Sequence, residues 1–291
     1  MRPHSNCFLR SLASRALALS ATICVGLSIA LAESGADEKA RDAEVGPIRV
    51  LFLGHKAENH QASRHYPILT KALGREAIYF DYVTDTEEAF SNFSHLQRYD
   101  AVLIYANHKT IEQSHWRNLK RFVEEGGGFV PVHCASWCFQ NILEYDDVVG
   151  ARFLAHGAAV FSPRNLKGAS DHPLLADLPT FEASDESYYH SDHHPEGRTV
   201  LQVRDVLDHD RVITEPEPWT WIREQGKGRV FYTASGHDER VWNLPAFHEL
   251  LRRGILWSVG ESRFAGWETF LKPGKTQARE IFSTRSTSIK A

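Results

Sequence analysis

The chain has 291 residues, is 42% hydrophobic, carries a formal net charge of −4 and contains 16 histidines. Its length and apolar content suit one large α/β domain or two small ones, with ample material for a core. The mildly acidic balance gives no electrostatic footprint for nucleic acid, and four cysteines are too few for a disulfide scaffold.

The first 32 residues read as a secretory signal peptide. Arg2, Arg10 and Arg15 make a basic start, Ala16 to Leu31 is an apolar run, and Ala30-Leu31-Ala32 is a small-x-small cleavage site before Glu33. A lipoprotein signal fits less well, since Ile23 is a poor residue before Cys24, and the run is short for an uncleaved anchor. Cleavage after Ala32 takes the charge from −4 to −7, because three arginines and no acid leave with the leader. The mature protein is expected to be secreted or periplasmic, with no membrane span once the leader is cut. Residues 33–46 are polar and charged and read as a disordered lead-in. The folded domain is expected over 47–260.

Within it, Ile48 to Leu53 reads as a strand running into Gly54-His55, and a polar loop with His60 follows. Tyr66-Pro67 opens a helix that Gly74 closes. Ile78 to Val83 and Tyr99 to Tyr105 are further strands, the latter ending at Asn107-His108. Trp116, Leu119, Phe122 and Val123 have helical spacing up to Gly126. Phe129 to Val132 is then a buried strand that stops at His133-Cys134 and feeds a helix. After Gly150 the sequence is turn-rich with short strands. Order returns with Trp219 to Ile222, a turn at Gly226-Lys227-Gly228, a strand from Arg229 to Ala234 that precedes Gly236-His237, and a helix from Pro245 to Val259. Residues 261–291 read as a polar tail. Apolar strands alternating with helices indicate a parallel sheet covered on both faces, and no phosphate loop or dinucleotide fingerprint is present.

In such a sheet the carboxyl ends of the strands share one edge, where ligands bind. His55 or His60, His108, His133 and His237 each follow a strand, so imidazoles distant in sequence are expected to converge. Converging neutral imidazoles with a carboxylate suit a divalent transition metal, most often zinc. Any one of these histidines taken alone also reads as a hydrogen-bonded structural residue. Glu186 is the carboxylate candidate, as ligand or general base, in an irregular segment where a substrate loop would lie; Tyr188 shares its side if that segment is extended. Tyr189 to His194 resembles a metal tract but reads as a surface loop, and Asp171-His172-Pro173 as a turn. Cys134 is the rival nucleophile, at the start of a helix beside a histidine; the bland reading makes Cys134 and Cys138 two buried thiols. Trp137, Trp219, Trp221 and Trp242 offer faces for sugars or fill the core.

These pieces in their order resemble the ThuA-like (trehalose utilisation) family over about residues 47–260. They are His60 with Tyr66-Pro67, the strand at Tyr99 to Ile104, Gly127 to His133, Phe153 with His156, His172-Pro173-Leu174, Phe181 with Asp185 to Tyr188, Gly226 to Tyr232 with Gly236-His237, and Gly254 to Trp257. The resemblance implies a flavodoxin-like three-layer sandwich with a mostly parallel central sheet, of the class I glutamine amidotransferase-like kind. It implies that His133 stands at the elbow where amidotransferases place cysteine, that His237 stands where they place their histidine, and that Asn107-His108 lies in the oxyanion-hole region. It also implies a carbohydrate substrate, a trehalose-type disaccharide or its 3-keto derivative. The leading reading is a metal-dependent hydrolase or isomerase: His133, His237, Glu186 and Tyr188 serve the chemistry, and His60, His108, His133 and His237 hold the metal. The alternatives are a cysteine hydrolase using Cys134 with His237 and a non-catalytic sugar-binding module. A homo-oligomer is compatible with all three.

Overall fold

A computed structural model describes residues 44–208, 211–212 and 214–272. The segment expected to be a signal peptide, most of the expected lead-in and residues 273–291 lie outside the described residues.

Strand β1 (Ile48–Leu53) is followed by α1 (Ala62–Leu73), β2 (Ile78–Val83), α2 (Thr86–Phe90), α3 (Phe93–Leu96), β3 (Ala101–Ile104), α4 (Gln113–Glu124) and β4 (Gly128–Pro131). Next come α5 (Glu144–Val149), β5 (Arg152–Phe161), β6 (Arg164–Asn165), β7 (Ala183–Ser191), β8 (Arg198–Arg204), β9 (Leu207–Asp208) and β10 (Arg211–Val212). The hairpin β11 (Glu217–Gln225) and β12 (Gly228–Thr233) leads to α6 (Glu239–Trp242), α7 (Pro245–Ser258) and α8 (Glu261–Leu271).

The main sheet has the order β2-β1-β3-β4-β12-β11-β8-β6. Its first five strands are parallel and run in the flavodoxin-like order, with β12 in the fifth place; β11, β8 and β6 extend it antiparallel. Strand alternation fills both faces. Val50 and Phe52 pack into one apolar cluster with Leu103, Phe231 and Leu250, while Leu51 and Leu53 pack into the other with Ile104, Trp116 and Phe122. The result is the expected three-layer α/β arrangement.

Several local expectations change. The first helix begins at Ala62, so Pro67 lies inside it and not in its first turn. Strand β4 feeds a single 3-10 turn, His133–Trp137, in place of a helix. The segment after Gly150 is more regular than its turn-rich sequence suggests, because β5 and β7 pair over nearly their whole length as a separate antiparallel ribbon. Glu186 therefore sits on a strand, and so does His190, which is buried where a surface loop was expected. The polar stretch after Gly260 opens with α8, whose Phe264 and Trp267 are buried, while Arg263 pairs with Asp100 at 2.7 Å. Its periodicity is weak in sequence because a charged residue, Arg263, occupies one of the buried positions. Among the described residues, no helix is long and apolar enough to cross a membrane.

Candidate metal centre

Four side chains meet at the carboxyl edge of the parallel strands. His60 comes from the loop after β1, His133 from the end of β4, His237 from the turn after β12, and Glu186 from β7 of the ribbon. One ligand atom from each lies within 4.8 Å of all the others. Glu186 stands at the middle. Its Oε2 is 3.1 Å from His133 Nε2 and 3.3 Å from His60 Nε2, and its Oε1 is 3.2 Å from His237 Nδ1.

The backbone at two of these residues is unusual. His60 and His133 have φ of 52° and 50°, the left-handed region that costs a non-glycine residue about 1–3 kcal/mol unless its surroundings impose it. At His133 this bend ends the strand abruptly and turns the imidazole to the sheet edge. Gly236, at φ +134°, shapes the turn that brings His237 beside it, and a Cβ there would stand 3.4 Å from the His133 Cβ. Asp185 fixes the same turn: it is buried and its carboxylate accepts from the backbone N–H of Glu186, Gly236 and His237. Burial raises Asp185 to about 7 against the pull of those donors.

Hydrogen bonds on the far sides of the rings set their protons. His133 Nδ1 lies 2.6 Å from the Ala234 carbonyl, to which it can only donate, and His60 Nδ1 donates to Asn107 Oδ1 at 3.1 Å. In the neutral rings each Nε2 is then a lone pair, and both face Glu186 Oε2, which has only lone pairs to offer. Burial lowers His133 to about 4, so a proton on that ring is disfavoured even beside the carboxylate. Burial raises the Glu186 carboxyl, and the His133, His237 and His60 rings pull it well below the usual carboxylate range only to the extent that they donate protons to it. His237 is raised by its contact with the same carboxylate, 3.2 Å from its buried Nδ1, although that approach is too poorly aligned to count as a hydrogen bond. Two ring lone pairs, the Nδ1 of His237 and a carboxylate converge, a set that could hold a divalent cation; the outward Nδ1–H bonds of His133 and His60 are of the kind that orient metal-bound histidines.

The family model described as trehalose utilisation, ThuA, matches residues 49–258. The chain belongs to the ThuA family. Among solved structures, a ThuA-like protein from Parabacteroides merdae matches with a TM-score of 0.61 at 20% identity, over 73% of this chain and 90% of that one. A ThuA-like protein from Bacteroides uniformis gives 0.60 at 18% identity, over 72% and 92%. The β-galactosidase of Rahnella sp. R3 gives 0.50 at 17% identity, over 73% of this chain but only 31% of its own length. At these identities the likeness shows the fold. A comparison with the curated proteins found no match.

The ThuA chain thus brings His60, His133, Glu186 and His237 together, and it leaves out His108. That ring lies against the loop after β1, its Nε2 donating to the Gly54 carbonyl at 2.9 Å, so it braces the edge instead of joining the cluster. Tyr188 is on the expected side but buried, with its ring stacked on His133 at 4.2 Å. It positions that imidazole by packing. Trp219, Trp221 and Trp242 are fully buried and offer no face to a sugar. Cys134 and Cys138 are free, buried thiols, both pushed up by burial, Cys138 to about 12.

Three participants stood in the motifs read from the sequence but were given no individual role at the cluster there. Asn107 orients His60, Asp185 clamps the His237 turn, and His156, paired in register with Tyr188, puts its Nδ1 3.6 Å from Glu186 Oε1 on the solvent side. His156 had a signal, its spacing from Phe153 within the family pattern. Asp185 and Asn107 had a signal of the same kind, as the neighbours of Glu186 and His108 within that pattern.

Proposed function

We propose that this ThuA-family protein is a metal-dependent enzyme acting on a sugar or sugar derivative, a hydrolase or isomerase, and that it works outside the cytoplasm. Family membership supports the carbohydrate-related role. The single observation that carries the metal reading is the meeting of His133 Nε2 and Glu186 Oε2 at 3.1 Å while the Nδ1 proton of that ring is committed to Ala234. Two acceptors so placed repel unless a proton or a metal cation stands between them, and burial disfavours the proton on His133.

His60, His133, His237 and Glu186 would hold the ion, with zinc the first candidate for three imidazoles and a carboxylate. A bound divalent ion supplies Lewis-acid polarisation of a substrate oxygen, useful in hydrolysis and in enolisation alike. The chain's own part is orientation and proton handling. Burial holds His133 neutral, and Ala234 and Asn107 aim the His133 and His60 rings. His237 is about a quarter exposed, so it is the ring of the cluster most open to a substrate. A cavity of about 420 Å³, lined by His55, Thr84, Asn107 and His108 among others, adjoins His60 through Asn107 and gives a polar wall suited to sugar hydroxyls. The leader-like residues 1–32 support export.

The cysteine reading is disfavoured, since the Cys134 thiol is fully buried and burial keeps it protonated.

Elemental analysis of the purified protein tests the proposal. About one equivalent of zinc or another transition metal per chain, removable by a chelator and restored on titration, is expected. Protein that takes up none of zinc, cobalt, nickel or manganese would sink it.

A further inference from the structure

Behind the cluster lies a second set of buried polar side chains that the chemistry proposed above does not use. Glu217 on β11 accepts from both the backbone N–H and the Nδ1–H of His190 on β7, at 3.1 and 2.7 Å. His190 Nε2 is 3.0 Å from the Tyr232 hydroxyl on β12. That hydroxyl is in turn 3.0 Å from Ser136 Oγ and 3.1 Å from the main-chain oxygen of His133, and Ser136 Oγ also donates to the His133 oxygen at 3.1 Å. His190, Tyr232, Ser136 and His133 are all buried.

A hydrogen-bonded run through four separate elements, buried from His190 onward, ends on one carbonyl. That carbonyl belongs to the residue whose left-handed backbone aims the imidazole. Either hydroxyl can donate to it, so the His133 main chain keeps a partner whichever way the Tyr232 proton turns. The ring is gripped from the same place: its Nδ1 donates to Ala234, two residues beyond Tyr232. His133 is thus tied to the end of β12 at both its main chain and its side chain. Such over-determination is what a left-handed non-glycine residue requires in order to persist.

We propose that Glu217, His190, Tyr232 and Ser136 form a positioning chain that holds His133 in the conformation from which its imidazole reaches Glu186. Its bearing on metal affinity rests on His133 being a ligand; the placement of the ring does not.

The test uses the full mature chain with Tyr232→Phe, and Tyr66→Phe as control. The Tyr66 hydroxyl also donates to a carbonyl, that of Phe80, and it lies off the chain, so the control removes the same atom elsewhere. In metal-free protein with labelled histidine, Tyr232→Phe is expected to move the NMR signals of the His133 ring, and Tyr66→Phe to leave them in place. Zinc affinity, read by competition with a chelating dye, is expected to fall about 10-fold or more in Tyr232→Phe, the usual effect of losing an orienting partner, and to hold in the control. Should Tyr232→Phe not fold, Glu217→Leu and the conservative Glu217→Gln take its place, with loss expected in the first and recovery in the second. Wild-type ring signals and wild-type affinity in Tyr232→Phe, or in Glu217→Leu, would overturn the proposal. If the unmodified protein binds no metal, the reading of the cluster as a metal centre fails by itself, and the ring signals still judge the positioning chain.

Discussion

Glu186 on the β5–β7 ribbon and His133 in the turn after β4 are 53 residues apart, yet their facing atoms stand 3.1 Å from one another. The main sheet delivers the imidazole and the β5–β7 ribbon delivers the carboxylate. A centre assembled in this way depends on the ribbon sitting squarely over the strand ends, and each participant can be tested separately.

Glu186→Gln keeps the shape and removes the charge that faces three imidazoles. Zinc affinity, measured by chelator competition, is expected to drop at least about 10-fold with the fold intact. His60→Ala is expected to do the same. His108→Ala is expected to leave affinity unchanged and to cost about 1 kcal/mol of stability for the lost bond to Gly54. Equal losses of affinity in His60→Ala and His108→Ala would mean that the cluster has been drawn with the wrong histidine.

Cys134→Ala is expected to retain metal content and any sugar-directed activity, with stability lower by about 1 kcal/mol for the lost sulfur packing. Native protein should also resist alkylation at both thiols until unfolded, since neither is exposed and both are held protonated. Rapid labelling of Cys134 in the folded state, with loss of activity, would revive the hydrolase reading.

His65 is buried against Trp242, ring on ring at 5.1 Å, and neither of its nitrogens has a hydrogen bond. Burial lowers it to about 4, with Glu239 and Asp238 opposing. As pH falls below about 6.5 the unfolded chain takes up a proton that the folded one refuses, so stability is complete above that pH and declines toward about 4. Urea unfolding at pH 7.5 and pH 5 measures the decline. His65→Phe removes its share and, by replacing two unsatisfied nitrogens, is expected to gain about 1–2 kcal/mol at pH 7.5. An unchanged pH slope in that variant would show that His65 already carries its proton when folded.

Arg263 donates to both oxygens of Asp100 and to the carbonyls of Glu44, Gly46 and Pro47, tying α8 to the start of β1. Arg263→Met leaves Asp100 without its cation and should lower the urea midpoint by the equivalent of about 3 kcal/mol. A shift under about 0.5 kcal/mol would mark α8 as an appendage, as its polar sequence suggested.

The sequence by itself determined the layers, the parallel strands and the edge to which the histidines go. Those features follow from short-range patterns: unbroken apolar runs such as Val102 to Ile104, glycine stops, and a histidine at the end of each of several strands. It also marked Glu186, through an acidic pair set two residues before an aromatic. What only the tertiary structure decided is which strand ends lie close enough to share a ligand. His108 and His60 look alike in sequence, since each follows a parallel strand, but the Gly54 carbonyl takes one ring and Asn107 turns the other toward Glu186. The pairing of β5 with β7 was hidden for a related reason. Neither strand shows a clean alternation, because β5 is exposed through its middle and β7 buries polar side chains, His190 and Asp185, whose partners lie on other elements. A hydrogen bond to a distant carbonyl or carboxylate leaves no periodic trace, and it is bonds of that kind that separate the clustered side chains from the braces here.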